Sequence, residues 1–205
     1  MATKRRKPHG VFCLEGEWWN NMKEPSSVEP LFELLLSSPY RVPFIHRNAD
    51  TLASMKVYLG KWTQTKYADY PILYLAFHGG EGGVYLGDLR RADCEVKLDD
   101  LEEFLKGKCK GRIIHFGSCS TLGLHGRRLS SFLRRTGALA VCGYEGQIDW
   151  LESAAFELLE FAAMQGNALT LAGARAMRDR IYAGARQLCQ ELRFRMVVGE
   201  RAANR

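Results

Sequence analysis

The chain has 205 residues, 46% of them hydrophobic, and a formal net charge of +6. That is enough for one sizeable core, and a single domain is expected. No apolar run approaches the about 20 residues of a membrane span. "VFCLEG" after the basic start is too short for a secretion signal, so the chain reads as cytoplasmic with no membrane partner.

The densest charge is Lys4-Arg5-Arg6-Lys7. It reads as a solvated tip rather than a nucleic-acid contact, so nucleic acid is not an expected partner. Six cysteines stand at 13, 94, 109, 119, 142 and 189, with no C-x-x-C pair and no zinc-finger spacing. Without a secretion signal they read as reduced thiols, mostly buried.

In chain order, Val11–Leu14 predicts a strand and Val28–Leu36 a helix. Arg41–Ile45 predicts a second strand. Asp50 is placed to cap a helix running to about Thr65, since its carboxylate can accept the free N–H groups of a first turn. Ile72–Phe77 is an almost wholly apolar third strand. A glycine-rich stretch, 79–87, leads into an expected hairpin near Tyr85 and Glu95. Leu98–Leu105 predicts a short helix and Arg112–Phe116 the fourth strand. A helix is expected from about Thr121 to Arg135, then a fifth strand, Ala138–Cys142. Trp150–Met164 and Ala168–Cys189 read as helical, and Phe194–Val198 as a last strand, which can run antiparallel. Strands alternating with helices, with runs such as "ILYLAF", "RIIHF" and "ALAVC", predict an α/β fold. Its mainly parallel sheet of about six strands is covered by helices on both faces.

In such a sheet, functional groups collect beyond the carboxyl ends of the strands. Strand one ends in Glu15-Gly16-Glu17-Trp18-Trp19. Strand three ends in His78-Gly79-Gly80, strand four in Gly117-Ser118-Cys119, and strand five in Gly143-Tyr144-Glu145 with Asp149 beyond. Cys119 and His78 thus fall at one edge, on strands expected to be neighbours. A thiol near its ordinary pKa of about 8.5 is mostly protonated at neutral pH. A nearby imidazole can take its proton and leave the better nucleophile. The helix expected to start near Thr121 would favour the anion through its dipole. The amides of Gly79 and Cys119 are candidates for an oxyanion hole. His115 lies inside a strand and reads as structural; His125 is the weaker alternative base.

Other motifs fail. Five residues after Cys119, where a tyrosine-phosphatase loop needs arginine, stands His125. "GGEGGVYLGD" lacks the G-K-[ST] ending of a phosphate loop and the spacing of a dinucleotide loop, and no H-E-x-x-H occurs. Neither a metal nor a cofactor is expected.

"ILYLAFHGG", "RIIHFGSCST" and "LSSFLRRTGALAVCGYEGQIDWLESAAFELLEFA" together resemble the CHAT branch of the caspase-like cysteine peptidases over about residues 70–180. The resemblance implies a caspase-like three-layer sandwich and an endopeptidase acting on proteins. Cys119 would be the nucleophile, His78 the general base and acid, and the Gly79 and Cys119 amides the oxyanion hole. It also implies a regulatory protein partner and a link to bacterial antiphage or programmed-death responses. The usual serine or aspartate two residues before the cysteine is replaced by Gly117. Charge for a specificity pocket is then expected from Asp149 first, Glu17 next, and Glu145 and Glu15 after them, favouring cleavage after Lys or Arg. The competing reading is an inactive caspase-like module whose basic surface binds an acidic partner. Residues 1–9 are expected to form the loose basic tip, 10–198 the single peptidase domain and 199–205 a frayed end.

Overall fold

The computed structural model describes residues 7–19, 21, 23–88 and 94–200. Strand β1 (Val11–Glu15) is followed by helix α1 (Glu29–Ser37), β2 (Phe44–Asn48), α2 (Leu52–Trp62) and β3 (Ile72–Ala76). Next come the short strands β4 (His78–Gly80), β5 (Gly83–Tyr85) and β6 (Glu95–Lys97), then α3 (Leu98–Leu105), β7 (Ile113–Phe116), α4 (Gly126–Thr136) and β8 (Ala140–Tyr144). The chain continues through α5 (Trp150–Ala163), α6 (Leu171–Gly184) and α7 (Arg186–Glu191) to β9 (Phe194–Val198).

The main sheet has six strands in the order β2-β1-β3-β7-β8-β9. The first five are parallel, and β9 closes the edge antiparallel to β8. Successive side chains point to opposite faces, and both faces are buried. Val11, Cys13, Ile72, Tyr74, Ile113 and Cys142 pack with residues of α1, α5, α6 and α7. Phe12, Leu14, Leu73, Leu75, Ile114, Phe116 and Val141 pack with α2, α3 and α4. This two-sided burial is why the strands read as unbroken apolar runs.

The chain leaves β1 for β2 on one side and returns to β3 on the other. Loops beyond β1 and β3 therefore diverge there, and a crevice opens at such a switch point. Immediately after β3 the chain turns into the small antiparallel sheet β4-β5-β6, whose first residue is His78.

Several elements differ from expectation. Helix α2 is capped by Thr51, not Asp50. The Thr51 hydroxyl accepts the Ser54 N–H at 3.1 Å, and the Ser54 hydroxyl accepts the Thr51 N–H at 3.2 Å. Strand β2 begins at Phe44, after a turn in which Arg41 has φ 51°. Helix α4 begins at Gly126 rather than near Thr121. The amides of Ser120 and Leu122 bond instead to the carbonyls of Gly146 and Tyr144, which holds this segment against the end of β8. The helical stretch 168–189 is divided at Ala185, whose φ/ψ of −137°/41° is not helical.

The expected basic tip lies outside the described residues for 1–6, as do 201–205 of the C-terminal end. Within the described part of the tip, Lys7 pairs with Asp69 at 2.5 Å, and His9 bonds Gln165 and Asn167, so 7–9 are joined to the body of the fold. Among the described residues no helix is long and apolar enough to cross a membrane.

The capping box predicts a measurable stability term. Thr51→Ala should lower unfolding free energy by about 1 kcal/mol, read from the urea midpoint, whereas Asp50→Ala should leave it within about 0.5 kcal/mol.

Candidate functional site

His78 and Cys119 face one cleft of about 150 Å³, whose lining includes Trp18, Trp19, Tyr74, Phe77, Gly117, Ser118, Ile148, Trp150 and Glu157. β3 and β7 are direct neighbours, with Leu75 opposite Phe116, so the residues leaving their carboxyl ends emerge side by side. Gly79 shows how close the approach is. A Cβ built on it would lie 2.5 Å from the Cys119 carbonyl oxygen and 2.8 Å from Ser118 Cβ. Only a residue without a side chain lets the two strand ends meet in this way.

The imidazole of His78 is oriented by its surroundings. Nε2 lies 2.6 Å from the backbone carbonyl oxygen of Trp18. A carbonyl can only accept, so Nε2 carries the proton, and the lone pair of the neutral ring is on Nδ1. The Trp18 and Trp19 rings stand edge-on to His78, with centroids at 5.4 and 6.2 Å. Trp18 is itself anchored, its indole N–H donating to Glu15 Oε1 at 2.5 Å.

Cys119 is half-buried, and its Sγ lies 4.0 Å from the Ile148 carbonyl oxygen. Ser120 beside it has φ 57°, a left-handed conformation that costs a non-glycine residue about 1–2 kcal/mol. The surrounding hydrogen bonds hold it there: Ser120 N to Gly146 O at 2.9 Å and Ser118 Oγ to Thr121 Oγ1 at 2.7 Å. α4 starts six residues beyond Ser120, so its dipole does not reach the thiol; the effect falls off within the first turn. The other five cysteines are buried. Burial pushes the thiols of Cys109 and Cys142 up to about 12 and that of Cys189 up to about 11.

The two-residue turn between β4 and β5 determines where the Gly79 amide points. Gly80 and Gly83 close the hairpin as a hydrogen-bonded pair, so Gly79, opposite Val84, occupies the alternate position and turns its N–H away from β5.

The four acids expected near this edge are placed differently. Asp149 is exposed and caps α5, accepting the N–H groups of Leu151 and Glu152 at 2.8 and 2.9 Å. Glu145 pairs with Arg195 at 2.8 Å. Glu15 is buried under hydrogen bonds from Trp18, Ser27, the Val28 N–H and His46. Glu17 is exposed and lines, with Glu15, a separate hollow of about 460 Å³ on the Glu29 and His46 side. That hollow is larger than the cleft but contains neither Cys119 nor His78, so the smaller cleft is the chemically relevant one. His125 caps α4, its Nδ1 accepting the Arg127 N–H at 3.2 Å.

The carboxylate that does line the Cys119 cleft is Glu157, which is 2% exposed. Its Oε2 accepts from Tyr74 Oη at 2.6 Å and its Oε1 from Tyr144 Oη at 2.9 Å. His115 lies between it and Glu160, with Nε2 3.3 Å from Glu157 and Nδ1 3.0 Å from Glu160. Burial by itself lowers His115, but Glu160 and Cys142 reverse this and hold the imidazole well above its ordinary value; burial raises Glu160. His115, Cys142 and Glu160 form the group with metal-ligand spacing among the described residues, their donor atoms within 4.8 Å of one another. His115 Nδ1 also lies 3.3 Å from Cys142 Sγ, so direct side-chain contacts link the three. Sequence reading passed over Glu157 because it sits in mid-helix, away from any strand end. The available signal was that Glu157 and Glu160, spaced i, i+3 in "FELLEF", face the core beside Phe156 and Phe161, while Leu159 faces out.

Gly117 has a steric explanation. A Cβ there would overlap the Tyr74 ring, at 2.5 Å from Cζ, and the Tyr74 hydroxyl.

Strand order and the two helical layers define an α/β fold of the caspase-like type. The solved structure of caspase-1 from Spodoptera frugiperda superimposes with a TM-score of 0.53 at 14% identity, covering 96% of this chain and 88% of that one; at that identity the likeness is one of fold. Residues 8–198 match the model of a family of unknown function, DUF6642, and the chain belongs to that family. No curated protein matches it in sequence.

Two substitutions probe this arrangement. Gly117→Ala should destabilise the protein by about 1–3 kcal/mol through overpacking against Tyr74, seen as a lower urea midpoint. Glu15 tests the loop that carries Trp18. Burial raises its pKa, but hydrogen bonds from His46, Trp18, Ser27 and Val28 outweigh this and leave it below the ordinary 4.5. A carboxyl lowered by folding adds stability above its unfolded value and loses it as pH falls through the folded one. The midpoint difference between wild type and Glu15→Gln should therefore be steady above pH 4.5 and shrink as pH drops below it.

Proposed function

We propose that the chain is a cysteine endopeptidase of the caspase-like type, with Cys119 as nucleophile and His78 as general base and acid. The observation that carries this is the shared cleft, in which His78 is fixed through Nε2 on the Trp18 carbonyl and keeps Nδ1 for proton transfer.

In this mechanism the Cys119 proton passes to Nδ1 as sulfur attacks the peptide carbonyl. The negative charge on the carbonyl oxygen is held by the N–H groups of Gly79 and Cys119. Collapse breaks the C–N bond, and the leaving amine takes the proton from Nδ1. Water then adds to the thioester, with His78 removing its proton, and the thiol is restored when sulfur departs and is reprotonated. The likeness to caspase-1 in fold supports this assignment. The CHAT-type affiliation and a place in a defence or death response remain part of the same proposal, carried by the sequence resemblance.

Iodoacetamide should label one thiol much faster than the rest, and Cys119→Ala should remove that label. His78→Ala should cut peptide turnover by about 10²–10⁴-fold, the range for a general acid–base group. A proteome-wide comparison of new N-termini, wild type against Cys119→Ala, should yield cleavage sites for wild type alone. No fast thiol and no sites would favour the binding-module reading.

A further inference from the structure

We infer that Glu157, held between Tyr74 and Tyr144 in the wall of the Cys119 cleft, selects an arginine or lysine side chain immediately before the scissile bond. This rests on the peptidase reading above and assigns its substrate class.

Three observations converge. First, Glu157 is the one carboxylate among the residues lining this cleft, whose walls are otherwise mostly aromatic and aliphatic. Trp18, Trp19 and Trp150 line the cleft, and aromatic rings can pack against the alkyl stem and guanidinium of an arginine. Second, the strand end two residues before Cys119 cannot supply a charge, because Tyr74 fills the space a side chain at Gly117 would need. The same Tyr74 donates its hydroxyl to Glu157. The tyrosine that removes one possible acid thus positions another.

Third, the charge balance behind the cleft is uneven. Two carboxyl groups, Glu157 and Glu160, share one imidazole, His115, and Glu160 Oε2 has no hydrogen-bond partner. A guanidinium or ammonium group entering beside Glu157 adds positive charge to a cluster that holds two carboxyl groups and one imidazole. An aspartate side chain would instead set a second carboxylate against Glu157 in a desolvated site, which is repulsive.

The test uses the full chain and fluorogenic peptides that differ only in the residue before the scissile bond: Arg, Lys, citrulline, Leu or Asp. Citrulline keeps the shape of arginine without its charge. Arg and Lys peptides should exceed the citrulline peptide in kcat/KM by on the order of 10²-fold, the scale for a desolvated charge pair. Glu157→Gln should bring the Arg peptide down towards the citrulline peptide, so that the Arg-to-citrulline ratio measured within the variant falls towards one. Equal use of Arg and citrulline, or a preference for Leu or Asp, would overturn the inference and leave the peptidase reading standing.

A second measurement needs neither catalysis nor the variant: protection of Cys119 from iodoacetamide by butylguanidine, with neutral butylurea as control. Protection by butylguanidine alone supports the cationic site, even if no peptide is cleaved and the peptidase reading fails. Equal protection by both, or by neither, counts against it.

Discussion

The placement of one buried ring, that of Tyr74, constrains the whole cleft. It leaves β3 on the face covered by α1 and α5 and fills the space beneath the end of β7. Residue 117 must consequently be glycine. The hydroxyl of the same ring reaches across to α5 and holds Glu157. Tyr74, His115 and Cys142 stand side by side on neighbouring strands, so the polar atoms behind the cleft share one row of the sheet. Such a buried network is high-stakes: removing one partner leaves another charge or donor unpaired, at a cost of about 3–5 kcal/mol for an ion pair. The row therefore rigidifies the cleft from behind.

A second chain of contacts fixes the cleft from the side. Glu15 ends β1 and gathers donors from Trp18, Ser27, Val28 and His46. Its bond to the Trp18 indole sets the loop whose backbone carbonyl orients His78. An acid that sequence reading placed in a specificity pocket thus stands two contacts away from His78, through the Trp18 loop. On the opposite side, left-handed Ser120 is over-determined by the bonds tying residues 118–122 to β8. Strain of this kind persists only where the surroundings enforce it, and it clusters at functional sites.

These contacts also separate the features of the site that are local from those that are not. His78 and Cys119 are local consequences of strand ends: each follows an apolar run within three residues, and adjacency of β3 and β7 brings them together. Charge in the cleft is not local. Asp149 and Glu145, next in sequence to the right edge, are drawn off by a helix N-terminus and by Arg195. Glu157, two turns into α5, is turned inward by packing of the Phe156 and Phe161 flanks of the helix.

The sequence by itself determined the α/β class, most of the strands and the position of Cys119 and His78 at one sheet edge. Burial on both faces makes parallel strands continuous apolar runs, and function in such sheets collects at their carboxyl ends. It also carried Leu98–Leu105 and Phe194–Val198 to their observed boundaries. Only the tertiary structure decided where α4 starts, because the amides of residues 120 and 122 are taken by carbonyls at and just beyond the end of β8, more than twenty residues away in sequence. It alone decided which acid lines the cleft, because a side chain's partner depends on what crosses the sheet from other elements. Tyr74, Glu157 and Gly117 come from three separated segments, and their mutual fit exists only once β3, β7 and α5 are packed together.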